Sequence, residues 1–233
     1  MEPKSIIIVV LVLLLLYVIV RNITYPSVLT SKTDAKTMQT VSSDDLETGD
    51  TSSVNFAYSI WFYVDDWNYK YGQAKVIFGR LDQNSKPCPS VILAPTQNNM
   101  NVSITVYPSG SSGGSEIIHS CGVHNIPIQK WVNAIISVYN RSLDIYIDGK
   151  LVRTCMLPGV PKIDSTADVQ VTPGGGFSGY TTKLQYFDSS IDPQKAWNIY
   201  KLGYSDGFLS FLNKYEVQIS VFDDGVEETT ITI

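Results

Sequence analysis

Residues 54–64 alternate without a break: Val54, Phe56, Tyr58, Ile60, Phe62 and Val64 fall on one side, and Asn55, Ala57, Ser59, Trp61 and Tyr63 on the other. A period of two sends successive side chains to opposite faces of an extended chain, so this stretch predicts a strand. Shorter segments of the same kind recur at 74–80, 90–94, 101–107, 131–139, 143–148 and 150–156, joined by polar or Gly/Pro-containing connections. Short strands at regular spacing predict an all-β sandwich. In Leu143-Asp144-Ile145-Tyr146-Ile147-Asp148-Gly149-Lys150-Leu151-Val152, the residues Leu143, Ile145 and Ile147 share a face and Asp148-Gly149 supplies a tight hairpin turn, which gives Asp148 a structural task. One short helix is expected, with Asp192 as its N-cap, Pro193 at its first position, Ala196-Trp197 and Ile199-Tyr200 facing inward, and Gly203 just past its end. Phe208, Leu209, Phe211 and Leu212 suggest a further helical turn before a strand over 215–222.

Two segments break this pattern. Residues 6–20 are apolar apart from Tyr17 and are flanked by Lys4 and Arg21. The run is shorter than the ~20 residues of a full span, but no small-x-small cleavage site follows it. An uncleaved transmembrane anchor over 1–21 is therefore expected, with Lys4 and Arg21 reaching the two interfaces. Positive charge lies on both sides, Lys4 before the run and Arg21, Lys32 and Lys36 after it, so the positive-inside rule assigns no orientation. Residues 22–53 are dominated by Ser, Thr, Asp and Lys without apolar periodicity and predict a linker. The sandwich domain, with a C-terminal extension, then occupies 54–233.

Composition removes several function classes. With 17 Lys+Arg against 22 Asp+Glu the formal charge is −5, so the chain is not a basic nucleic-acid binder. A hydrophobic fraction of 44% supplies a core and excludes wholesale disorder. Three cysteines with no C-x-x-C pair provide neither a disulfide-dense scaffold nor a zinc cluster.

The segments Phe56-Ala57-Tyr58-Ser59-Ile60-Trp61-Phe62, Ile126-Pro127-Ile128-Gln129-Lys130-Trp131-Val132 and 143–152 resemble motifs of the concanavalin A-like (laminin-G-like) family. Phe177-Ser178-Gly179-Tyr180 to Leu184-Gln185-Tyr186-Phe187, with the helix that follows, is similar to its closing strand and helix, so the resemblance covers 54–203. With Cys121, Cys155-Met156-Leu157-Pro158-Gly159 and Phe211-Leu212-Asn213-Lys214-Tyr215, the chain most resembles the membrane-anchored versions found in large double-stranded DNA viruses. The resemblance implies a jelly-roll sandwich preceded by one N-terminal transmembrane helix. It further implies a non-enzymatic virion structural protein of minor capsid type, anchored through residues 6–20 in an internal virion membrane, whose domain faces and contacts capsid or other virion proteins. The alternative it leaves open is a glycan-binding, lectin-like attachment protein.

The catalytic members of that family carry Glu-x-Asp-x-(x)-Glu on one strand, which sets two carboxyl groups ~5 Å apart in retaining enzymes. No such string occurs here, so neither catalysis nor a cofactor is expected. His119-Ser120-Cys121-Gly122-Val123-His124 falls short of the four ligands of a zinc site, and Asp82, Asp164 and Asp168 offer too few oxygens for calcium. Thr172-Pro173-Gly174-Gly175-Gly176 lacks the Gly-Lys-Ser/Thr of a phosphate loop and is a turn. The candidate for partner or glycan binding is Asp65-Asp66-Trp67-Asn68-Tyr69-Lys70-Tyr71, where the rings of Trp67, Tyr69 and Tyr71 alternate with the carboxylates of Asp65 and Asp66 and an amide. Its competing reading is a loop packed onto the sandwich. For the cysteines, at most one disulfide is expected, from Cys121 to Cys88 or Cys155, with all three reduced in a cytosolic assembly.

Overall fold

A computed structural model describes Val12, Leu15, Leu16, residues 27–46, 54–108 and 115–205, and the backbone of two C-terminal strands. In chain order the strands are β1 (Thr33–Asp34), β2 (Gln39–Val41), β3 (Phe56–Asp66), β4 (Lys75–Leu81), β5 (Pro87–Leu93), β6 (Met100–Pro108), β7 (Ile117–Val123), β8 (Trp131–Tyr139), β9 (Ser142–Ile147), β10 (Lys150–Met156), β11 (Gly159–Pro161), β12 (Val169–Val171) and β13 (Ser178–Phe187). A helix, α1 (Pro193–Leu202), and an antiparallel pair, β14 (Gln218–Asp223) with β15 (Val226–Thr232), follow.

The strands β1-β13-β3-β8-β9-β10 form one antiparallel sheet, called the front sheet here, and β11-β6-β5-β4-β12-β2 form the back sheet, with β7 along the side of β6 away from β5. The alternation in β3 explains its central place. Phe56, Tyr58, Ile60, Phe62 and Val64 are buried between the sheets, where Tyr58 meets Phe78 of β4 at 5.3 Å between ring centroids. From the back sheet, Val91, Val102, Ile104 and Val106 complete that core. The other face of β3 is covered as well. There α1 closes a second, smaller core of Ala57, Ile135, Tyr146, Phe187, Ile191, Ala196 and Ile199.

The helix forms as its ends predict. The Asp192 carboxylate accepts from the Lys195 backbone N–H at 2.8 Å, Pro193 occupies the first turn, and Gly203 ends it at φ 72°. Of the four residues expected to face inward, Ala196 and Ile199 do, whereas Trp197 is 38% exposed and Tyr200 is half-buried. Asp148 and Gly149 both take positive φ, 51° and 73°, the requirement of the expected two-residue turn. The Asp148 carboxylate also accepts from the Asn133 backbone N–H and from the Lys130 ammonium, each at 3.0 Å.

The linker expectation needs correction between residues 27 and 46. β1 pairs with β13, β2 pairs with β12, and Ala35, Val41 and Leu46 sit in the main core. An edge strand buries one face only and draws its hydrogen bonds from the backbone, so three well-placed apolar residues suffice amid Ser, Thr and Asp. Such sparse burial leaves no periodicity to detect. The His119–His124 segment lies mostly within β7, which pairs along β6 from Val106 to Met100. Val12, Leu15 and Leu16 are helical; the rest of the expected anchor, and the turn expected at Phe208–Leu212, lie outside the described residues. Among the described residues no helix is long and apolar enough to cross a membrane.

Candidate ligand-binding surface

The outer face of the front sheet carries a continuous run of aromatic rings. Tyr180 of β13 stands opposite Tyr63 of β3, and Tyr63 opposite Trp131 of β8, so three rings form one row across three adjacent strands. Directly paired residues point to the same face, which is why the row is shared. Residues from the end of α1 extend it: Trp131 stacks on Tyr204 at 4.6 Å and 12°, Trp61 stacks on Tyr200 at 5.6 Å and 18°, and Trp197 leans on Tyr200 at 5.5 Å. Trp61 is buried beneath the cluster, whereas Tyr180 and Tyr204 are each 42% exposed. Tyr63 and Trp131 are half-buried, Trp131 with one face against Tyr204, so the solvent-exposed rings of the cluster are Tyr180, Tyr204 and Trp197. Neighbouring exposed rings are unusual for an ordinary surface, where large apolar groups stand singly.

Three local devices hold these rings in place. At Gly149 an added Cβ would lie 2.9 Å from Tyr200 Cβ and 3.0 Å from the Trp197 ring, so α1 rests directly on the β9–β10 turn. β13 is bulged between Thr182 and Gln185, with Lys183 at φ 51°. Its ammonium donates to the carbonyls of Gly203 and Ser205 at 3.0 and 2.6 Å, clamping the backbone on either side of Tyr204. Finally, the exposed Lys32 ammonium lies 4.9 Å from the Tyr180 ring centroid and 5.7 Å from that of Trp131. At the β1 end of the row stands the exposed Asp34, paired in register with Tyr180; its carboxylate accepts from the Lys36 backbone N–H at 2.8 Å.

The loop singled out from the sequence is placed differently. Asp65 and Asp66 end β3 in solvent, and Asp66 accepts from the Asn68 N–H at 2.9 Å. Trp67 is half-buried against the main core, with the Lys75 ammonium 4.7 Å from its ring. Tyr69 donates its hydroxyl to the Gly175 carbonyl at 3.1 Å, while the Lys70 ammonium donates to Gly174. Tyr71, at 60% exposure, is the one ring of the three that is turned mainly to solvent. The loop is thus bound to the glycine turn 172–176, and its rings do not share one open face.

The remaining chemistry is structural. Glu116 is the one glutamate whose side chain is described, and Lys86 and Lys162 hold it at 2.7 and 2.6 Å. Hydrogen bonds from Lys162, then Lys86, keep its carboxyl down at about 2. Asp82 is hydrogen-bonded by Lys162 at 2.6 Å and caps its own turn, Asp164 accepts from Thr166, and Asp168 accepts from the Ser43 N–H, so the three do not converge on an ion. No cluster of three or more His, Cys, Asp or Glu that could hold a metal exists among the described residues. Cys121 of β7 and Cys155 of β10 form a disulfide that joins the edges of the two sheets. Cys88 is free and buried, and burial pushes its thiol up to about 11. A cleft of about 290 Å³ beside the disulfide, lined by His124, Asn125, Val152 and Arg153 among others, contains no Phe, Tyr or Trp.

Two face-to-face antiparallel sheets, an outer helix and a ring-lined surface define a lectin-type sandwich. The chain belongs to the concanavalin A-like lectin/glucanases superfamily, whose family model matches residues 35–201. No curated relative matches it in sequence. Among solved structures it is similar to the binding domain of botulinum neurotoxin DC in complex with SialylT, with a TM-score of 0.53 and 12% identity over 70% of this chain and 38% of that one. It is also similar to the binding domain of botulinum neurotoxin serotype G, with 0.51 and 12% over 74% and 46%, and to a point mutant of HCR/D, with 0.52 and 11% over 73% and 41%. The chain spans less than half of each of these, and at such identity the likeness concerns the fold.

Proposed function

We propose that this chain is a non-catalytic recognition module that binds glycans on the aromatic surface of its front sheet and is held at a membrane by residues 6–20. The observation that carries the reading is the row Tyr180–Tyr63–Trp131 with Tyr204 stacked at its end. Sugar rings present C–H faces that lie flat on aromatic faces, and their hydroxyls hydrogen-bond to flanking polar groups such as Asp34. Adjacent strands are ~4.8 Å apart, close to the length of one sugar residue in an extended chain, so a row across three strands suits an oligosaccharide. Recognition rather than hydrolysis is supported by the sequence, which carries no Glu-x-Asp-x-(x)-Glu string. The structural neighbours are themselves binding domains, which favours the lectin-like alternative over the capsid role.

The test is a glycan array probed with the full chain in detergent, beside its Trp131→Ala and Tyr180→Ala variants. Binding should weaken by about 2 kcal/mol or more in Trp131→Ala, the loss expected of an interface hot spot. An array with no binder, or one whose binders are indifferent to both substitutions, would remove the reading.

A further inference from the structure

We infer that the glycan accepted on this surface is acidic, its carboxylate or sulfate group pairing with Lys32; the inference rests on the glycan-binding reading above. Tyr180 and Trp131 are two strands apart, ~9.6 Å at the usual strand spacing. The Lys32 ammonium is 4.9 Å from one ring centroid and 5.7 Å from the other, so it is close to both rings. A sugar stacked on either ring comes within its reach.

The ammonium is exposed, and among the described residues no carboxylate pairs with it: the four ion pairs join Lys86, Lys130 and Lys162 to Glu116, Asp148 and Asp82. Cation–π contact holds a lysine over rings without neutralising it, so the charge remains available to an incoming anion. With a net charge of −5 the chain offers no general attraction for anions, and this local cation must supply the preference. Asp34 sets the direction. It stands beside Tyr180 at the outer end of the row, where it repels an acidic group and accepts from hydroxyls. The acidic group therefore lies on the Trp131 side of Lys32, with neutral hydroxyls toward Asp34.

The experiment compares matched pairs on the full chain in detergent: 3′-sialyllactose with lactose, oligogalacturonate with its methyl ester, and a sulfated oligosaccharide with its desulfated form. The expected result is at least about a tenfold preference for one acidic member, the size of a charge-assisted contact. That preference should disappear in Lys32→Gln, for which the affinities of the acidic and neutral members of the pair should converge. Equal binding of both members, with sensitivity to Trp131→Ala retained, would overturn the acidic assignment and leave the glycan-binding reading standing. Binding of no member of any pair would overturn both.

Discussion

The disulfide offers the most direct quantitative test of the architecture. Cys121 and Cys155 are 34 residues apart, and the loop they close contains all of β8 and β9. They tie the outermost strand of the back sheet beyond β6 to the outermost strand of the front sheet. Loop-closure entropy for 34 residues gives about 3.8 kcal/mol of stabilisation at 25 °C. Part of this is recovered in the reduced chain, because β8, β9 and β10 are consecutive hairpins that stay close when the cross-link is gone, so about 2 to 4 kcal/mol is expected. With a urea m-value of ~2 kcal/mol/M, replacing both cysteines by Ala lowers the midpoint by about 1 to 2 M. Alkylation followed by mass spectrometry checks the pairing independently. Without reductant the native protein takes up no label, because Cys88 is 2% exposed, and the unfolded protein takes up one, at Cys88. A midpoint shift below about 0.5 M, or three labels on the unfolded chain, would refute the argument.

Deleting residues 1–26 should leave a folded domain, whereas deleting 1–53 removes β1, β2 and the buried Val41 and Leu46, at about 1.5 to 3 kcal/mol for each of those two side chains; equal melting temperatures for the two truncations would contradict this. Trp67→Ala, which empties a half-buried site against the core, should destabilise by about 3 kcal/mol and leave glycan binding per folded molecule unchanged, so lost binding without a melting shift would restore the loop as a contact. Because the folded-state pKa of Glu116 is depressed from 4.5 to about 2, its contribution is complete above 4.5 and disappears as the pH falls toward 2. The gap in urea midpoint between wild type and Glu116→Gln should close over that interval, and a constant gap would show that the ion pairs contribute nothing. Gly149→Ala combines strain at φ 73° with a Cβ 2.9 Å from Tyr200, so it should weaken glycan binding without altering any exposed ring, and unchanged affinity would show that α1 tolerates the displacement.

The sequence made visible those elements whose residues are chosen by burial on a regular period. β3, β8 and β9 have apolar residues at every second position, and α1 has both its caps, so their existence and type could be read directly. β1 and β2 could not, since two or three residues cannot display a period and what holds them is backbone pairing to strands more than 100 positions away. The cysteine pairing was open for a related reason. Cys121 and Cys155 meet only because β7 and β10 are edges of different sheets on the same side of the sandwich.

The proposed binding surface was hidden because it is a property of register. Asp65–Tyr71 stood out because its rings are adjacent in sequence, yet adjacency in a loop does not produce a common face, and two of the three rings are committed to packing or to a hydrogen bond. Tyr63, Trp131 and Tyr180 are scattered over more than 100 residues and are brought into line by strand pairing. Two of them showed a partial signal: Tyr63 and Trp131 occupy outward positions next to the core residues Phe62, Val64 and Val132, whereas Tyr180 lies between Gly179 and Thr181. An outward Trp or Tyr on a strand is ordinary in isolation; three in register, braced by α1 through Gly149 and by the Lys183 clamp, form a rigid platform. Rings already fixed in the free protein lose little freedom when a ligand settles on them, so more of the stacking energy appears as affinity. The proposed recognition on the outer face follows from the same layout: the inner faces fill the core, and α1 packs over Ala57, Ile135, Tyr146 and Phe187 of the front sheet, leaving the row beside Lys32 for a ligand.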